Sequence, residues 1–146
     1  SHNGNIEPIT RQRAEFGEAH WIFGQQRWVQ YDVNSLQVIR TRDEVDTLCE
    51  LDLRNGELLE QCPPASRFSQ LSLHSGTLLG IVHYPNRPPA IFRYQSDGAC
   101  VELKTSPEWM QHESVSEPEL LCFPTRDGDY AYANYYAAKP LDAQIP

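Results

Sequence analysis

A turn glycine recurs in this chain at a separation of 42 residues, and the sequence around it recurs too. Leu51-Asp52-Leu53-Arg54-Asn55-Gly56-Glu57-Leu58-Leu59 aligns with Phe92-Arg93-Tyr94-Gln95-Ser96-Asp97-Gly98-Ala99-Cys100 through Gly56 and Gly98. Asn-Gly and Asp-Gly tolerate the positive φ of a tight turn, so each copy marks the reversal between a third and a fourth strand. The second copy shows the whole unit: Phe68 to Leu73, a turn at His74-Ser75-Gly76, the apolar run Thr77 to Tyr84, a loop with Pro85, Pro88 and Pro89, then Ala90 to Gln95 and Ala99 to Lys104. This spacing predicts a four-stranded meander. The run Thr77 to Tyr84 reads as a strand covered on both faces. The last strand alternates Val101 and Leu103 with Glu102 and Lys104, which suits an edge blunted by charge. A sheet buried in the middle and wet at its edge needs other sheets stacked on both sides. That is the requirement of a β-propeller blade, and a period near forty is blade-sized.

The first unit follows the same plan. Trp21-Ile22-Phe23-Gly24 is strongly apolar, and Arg27 to Val33 places Val29, Tyr31 and Val33 on one face of an innermost strand. Asn34-Ser35 turns it into Leu36 to Thr41; the charged loop Arg42-Asp43-Glu44 leads to Asp46 to Leu53, and Glu57 to Cys62 closes the unit. The expected class is therefore all-β: two antiparallel blades over about 20–65 and 66–106, after an irregular N-terminal connection over 1–19. A start at Ser1 without Met suggests a missing N-terminus, with 1–4 a possible tag scar. Ser106-Pro107-Glu108-Trp109-Met110 predicts one helical turn, with a cap residue followed by proline. In the last part, 107–146, Pro118 to Thr125 and Tyr130 to Tyr136 flank Arg126-Asp127-Gly128-Asp129 as a hairpin whose tyrosines are expected to pack on a neighbouring domain.

Net charge narrows the partners. At −8, with a pI near 5.0 and no Lys/Arg cluster, the chain is not expected to bind nucleic acid or an anionic membrane. No apolar stretch reaches membrane-spanning length and no signal peptide is visible. Cys49, Cys62, Cys100 and Cys122 form no C-x-x-C pair and read as buried or half-buried reduced thiols, with a zinc site as the competing reading. With no Asn-x-Ser/Thr acceptor in the chain, the expected setting is cytoplasmic.

Several stretches taken in order resemble a known family. These are Glu15-Phe16-Gly17 followed by Trp21-Ile22-Phe23-Gly24; Leu51-Asp52-Leu53 with Gly56; Arg87-Pro88-Pro89-Ala90-Ile91-Phe92; Ser116-Glu117-Pro118-Glu119; Phe123-Pro124-Thr125-Arg126-Asp127-Gly128; and Tyr135-Tyr136. Together they are similar to the prolyl oligopeptidase family of serine peptidases, nearest the acylaminoacyl-peptidase and dipeptidyl-aminopeptidase-like branch. The resemblance implies that Trp21 to about Ser106 is the end of a propeller domain and that the hairpin opens an α/β-hydrolase domain. It implies too that the catalytic serine, aspartate and histidine lie beyond Pro146. Lys139-Pro140 stands where members often carry Pro-x-Asn-Pro, a departure that bears on the branch.

The residues themselves offer no complete catalytic set. The nucleophile elbow Gly-x-Ser-x-Gly is absent, and Gly76-Thr77-Leu78-Leu79-Gly80 has the wrong spacing and no central serine. His74-Ser75-Gly76 reads as a turn. His20, His74, His83 and His112 are scattered, without the H-E-x-x-H spacing of a metal site. Asp127-Gly128-Asp129 lacks the further oxygen donors of a calcium loop. Glu50 with Asp52, and Asp43-Glu44, are candidate carboxylate pairs for acid/base work, against the simpler reading of solvated blade edges. No catalytic, cofactor or metal residue is assigned, and no cofactor is expected.

Closed propellers use four to eight blades. Two blades and a hairpin make an incomplete propeller with open apolar faces, expected to be covered by the remaining blades and hydrolase domain of a longer peptidase. In isolation the chain is expected to form homo-oligomers. The resulting expectation is a non-catalytic propeller piece that gates peptide substrates on their way to a hydrolase domain. The rival is a stand-alone propeller-type protein-interaction module with no enzymatic role, and a small ligand-binding β-sandwich is a third possibility.

Overall fold

The computed structural model describes residues 4, 6–19, 21–63, 65–95, 98–105 and 115–138. The predicted helical turn at Ser106–Met110, His20, His112 and Lys139-Pro140 lie outside them. The described residues form strands and irregular connections only, in three antiparallel sheets. The first contains β1 (Trp28–Gln30), β2 (Ser35–Arg42), β3 (Val45–Asp52) and β4 (Leu58–Glu60), side by side in chain order. The second contains β5 (Arg67–His74), β6 (Thr77–His83), β7 (Ala90–Tyr94) and β8 (Cys100–Thr105), again in chain order. The third is a hairpin of β9 (Pro118–Pro124) and β10 (Tyr130–Tyr136). This is the expected all-β fold: two blade-like meanders, not closed into a ring, and a separate ribbon.

Local chemistry explains where the strands reverse. Ser75 and Gly76 both have positive φ, 48° and 76°, and join β5 to β6 as a two-residue hairpin. Gly56, at φ 74°, has a second constraint, because a Cβ there would stand 2.0 Å from the carbonyl oxygen of Ile9. β1 is shorter than its alternation suggests. The Asp32 carboxylate accepts a hydrogen bond from the Asn34 amide at 2.6 Å, and this Asx turn bends the chain after Gln30. Val33 is left exposed, not buried beside Val29.

Register decides which side chains meet. In the first sheet Leu36 and Val38 oppose Leu51 and Cys49, and this face packs against Phe16 of the N-terminal segment. That segment is anchored where Glu15 and Thr41 exchange both backbone hydrogen bonds. The other face sends Ile39 and Leu48 into a core shared with Phe68, Leu71, Leu78, Val82, Phe92 and Tyr94 of the second sheet. At its centre the Phe68 and Phe92 rings meet edge to face with centroids 5.3 Å apart. Such buried aromatics contribute about 1.5–3 kcal/mol each by burial alone.

The second sheet departs from expectation on its far face. β6 alternates, with Leu78, Gly80 and Val82 inward and Leu79 and Ile81 only half-buried beside the exposed Ile91 and Val101. The apolar run is therefore covered on one face among the described residues, not on both. The reason is that one neighbouring sheet packs against it here. β8 is exposed along its length and forms the sheet's edge, as its charges suggest. Tyr130, Tyr132, Tyr135 and Tyr136 of the ribbon are exposed as well.

Candidate functional site

The densest set of charged groups lies between the two sheets. Asp46, at the start of β3, is buried, and so is Arg27 just before β1. Arg27 donates to both Asp46 carboxylate oxygens, at 3.2 and 3.4 Å, and to Glu18 at 2.8 Å. Thr41 Oγ1 donates to Asp46 Oδ1 at 2.6 Å, and the Phe68 backbone N–H donates to Oδ2 at 2.8 Å. Arg67 closes the set on Glu18 at 2.9 Å. A cleft of about 200 Å³ lies over these groups. With each carboxylate held by an arginine, the set is suited to clamping sheet to sheet and not to moving a proton.

A second cluster ties the proline loop to the sheet edge. The Arg87 guanidinium stacks 3.4 Å from the Tyr84 ring centroid and reaches both oxygens of Glu102, while Tyr84 Oη donates to the same carboxylate. Hydrogen bonding from Arg87 holds Glu102 down at about 2. Burial, with the bond to Glu102, pushes Tyr84 up to about 12. Between the ribbon and the first sheet runs a larger cleft of about 770 Å³, lined by Arg13, Arg42, Asp43, Glu44, Asp129 and Tyr132 among others.

The residues weighed from sequence are dispersed across the fold. His74 ends β5 beside the turn at Ser75. His83 Nε2 lies 3.1 Å from Ser69 Oγ, a hydroxyl beside an imidazole. Burial and the charge of Arg67 push that histidine below its usual value, which opposes the imidazolium a general base must form. We therefore assign the pair to holding β5 against β6. Glu50 accepts from Gln37 and Gln61, while Asp52, two residues on, is held to about 2 by its hydrogen bonds to Arg54. These two carboxylates are engaged by different partners. Asp43 and Glu44 form the β2–β3 turn with φ of 50° and 61°. Asp127 accepts from Thr125, and Asp129 Oδ1 accepts from the Tyr130 amide. Among the described residues no group of three His, Cys, Asp or Glu side chains is placed to hold a metal ion.

The cysteines need a correction. Cys49 and Cys62 are buried, but Cys100 and Cys122 are exposed, because both lie on strands with an uncovered face. The fold also brings two of them to one place: Cys100 lies opposite Tyr94, which shares the core with Cys62. Sequence reasoning also missed Arg27 with Asp46. A charged residue opening the otherwise apolar strand Val45-Asp46-Thr47-Leu48-Cys49 was the available signal.

No family profile matches the chain, and no curated protein does. Solved structures do. The fold superposes on a puromycin hydrolase with a TM-score of 0.81 at 18% identity, over 98% of this chain and 23% of that one. It also superposes on a puromycin-hydrolyzing peptidase of Mycobacterium tuberculosis with a TM-score of 0.78 at 19% identity, over 96% of this chain and 23% of that one. At these identities the likeness is one of fold, and this chain spans less than a quarter of each neighbour's length.

Proposed function

We propose that this chain is the closing part of the propeller, with the first ribbon of the hydrolase domain, of a prolyl oligopeptidase-type serine peptidase of the cytoplasm. In this reading the propeller screens peptide substrates by size. A serine on the hydrolase domain attacks the peptide carbonyl, with histidine as base and aspartate orienting it. The observation that carries the reading is the joint placement of two blade-like sheets and a separate β-ribbon, which together superpose on part of two puromycin-hydrolysing proteins. The ordered sequence resemblance from Glu15 to Pro140 supports it independently. The chain contributes the Arg27–Asp46 clamp and the stacked sheets, and supplies no nucleophile elbow.

The uncovered face with Leu79, Ile81, Ile91 and Val101 fits a further blade in the intact enzyme, or a second copy when the chain is alone. Two measurements test this. The source gene read past Pro146 is expected to encode Gly-x-Ser-x-Gly on the order of a hundred residues on, with Asp and His after it. A reading frame without that sequence would overturn the peptidase assignment. Light scattering of the purified chain is expected to give a mass above 16.7 kDa, and a strict monomer at high concentration would overturn the oligomer.

A further inference from the structure

Cys62 and Cys100 are far apart in sequence and adjacent in the fold. Cys62 follows β4 of the first sheet and packs in the shared core with Phe92 and Tyr94. Cys100 opens β8 of the second sheet, directly opposite Tyr94. The Tyr94 hydroxyl in turn donates to the side chain of Gln61, the residue before Cys62. This bond holds the β4 exit against the β7–β8 pair, so that Cys62 and Cys100 flank the same tyrosine at the junction, one from each sheet. The surroundings divide their roles. Cys62 is 4% exposed, whereas Cys100 stands open to solvent on an edge strand.

We propose that Cys62 and Cys100 form a reversible disulfide that staples the two sheets together when the protein meets a hydroperoxide. The Cys100 thiolate attacks the peroxide oxygen, the O–O bond breaks, and the leaving oxygen takes a proton and departs as water or alcohol. The resulting sulfenic acid is attacked by the sulfur of Cys62; an S–S bond forms, the S–O bond breaks and water leaves. Two thiols lose two electrons in all, and the O–O bond gains them. Exposure sets this order: Cys100, open to solvent on the edge strand, meets the peroxide first, and Cys62, 4% exposed in the core, resolves the sulfenic acid.

The other two cysteines are built-in controls. Cys49 is fully buried, and Cys122 is exposed on the ribbon opposite Tyr132.

The test treats the purified protein with hydrogen peroxide, blocks residual thiols and maps tryptic peptides by mass spectrometry. Expected is a linked pair, Asn55–Arg67 joined to Tyr94–Lys104, at about tenfold or more over any other cysteine pairing and reversed by dithiothreitol. Cys122→Ser is expected to leave that link intact, and Cys100→Ser, at an exposed position, to abolish it without disturbing the core. In Cys62→Ser, Cys100 is expected to persist as a sulfenic acid trapped by dimedone. Conversion of Cys100 mainly to sulfinic acid in the parent protein, or links dominated by Cys122 or by intermolecular pairs, would overturn the proposal.

Discussion

Truncating Asp46 is expected to loosen the contact between the two sheets more than any surface substitution does. The carboxylate accepts four hydrogen bonds, two from Arg27, one from Thr41 and one from the Phe68 amide, and it is 3% exposed. Removing it leaves Arg27, 6% exposed, with Glu18 as its remaining carboxylate partner, and leaves the Phe68 N–H without its acceptor. Breaking a buried ion pair costs about 3–5 kcal/mol. Glu18 still bonds Arg27 at 2.8 Å, so the pair is placed at about 3 kcal/mol, with about 1 kcal/mol more for the orphaned amide. Asp46→Ala should then cost about 4 kcal/mol, and Asp46→Asn, which keeps an oxygen for Phe68, about 2–3 kcal/mol. Urea unfolding reads this directly: with a slope near 2 kcal/mol/M, the alanine variant's midpoint falls by about 2 M. Combining Asp46→Ala with Arg27→Met should recover about 1–2 kcal/mol, because no buried arginine is then left short of one of its two carboxylates and Glu18 keeps Arg67. If both Asp46 variants unfold within about 0.5 kcal/mol of the parent, the cluster is worth no more than a solvated surface pair and the clamp argument fails.

Three further outcomes follow from local geometry. Gly80→Ala places a Cβ 2.5 Å from Phe92 Cε1, so the ring must leave its edge-to-face contact with Phe68; a cost of about 1–3 kcal/mol is expected in urea unfolding, with Gly17→Ala, whose Cβ meets nothing within 4 Å, as the neutral control. Replacing Asp43-Glu44 by Asn-Gly relieves two positive-φ side chains in the β2–β3 turn and should raise stability by about 1–2 kcal/mol, and an unchanged urea midpoint would count against strain there. Glu102 is held at about 2 against an ordinary 4.5, so what it contributes is present above the ordinary value and disappears as the pH falls toward 2. The parent's advantage over Glu102→Gln, below about 1 kcal/mol because the pair is part-exposed, should therefore be seen at pH 7 and vanish near pH 2, whereas a constant gap would assign the effect to packing.

The sheets were legible because their signals are local. Ser75-Gly76 fixes its reversal by backbone conformation, Asn55-Gly56 by the positive φ of Gly56 and the Asn55 side chain accepting from the Glu57 amide, and the recurrence about Gly56 and Gly98 fixes the unit. Where a side chain competed with the ladder, the pattern misled: Val29, Tyr31 and Val33 alternate, but Asp32 captures the Asn34 amide and ends β1 early. The approach of Cys62 to Cys100 and the grip of Asp46 on the Phe68 amide were hidden for a different reason. Each joins residues of different segments, and which ones meet depends on the rotation of one sheet against the next, which no periodicity encodes. Likewise the apolar run Thr77 to Tyr84 announced a strand with two apolar faces but not how many of them this chain covers.

That rotation is also where the polar contacts matter most. Apolar burial between Ile39, Leu48, Phe68 and Phe92 is strong but non-directional, and two twisted sheets could slide or turn over such a contact at little cost. Directional bonds remove that freedom at three points along the seam. The Asp46 carboxylate grips the Phe68 amide; at the β5 bulge, where Gln70 has φ 55°, the Leu71 amide donates to the Gln26 carbonyl at 3.0 Å; and the Tyr94 hydroxyl reaches Gln61. Three non-equivalent contacts between two rigid bodies fix their relative orientation. An arc of blades can close into a ring only if each step turns by nearly the same angle, so an error at one seam is carried into the closure of the whole. On this account the buried Asp46 carboxylate, which costs desolvation, sets an angle that apolar packing leaves loose.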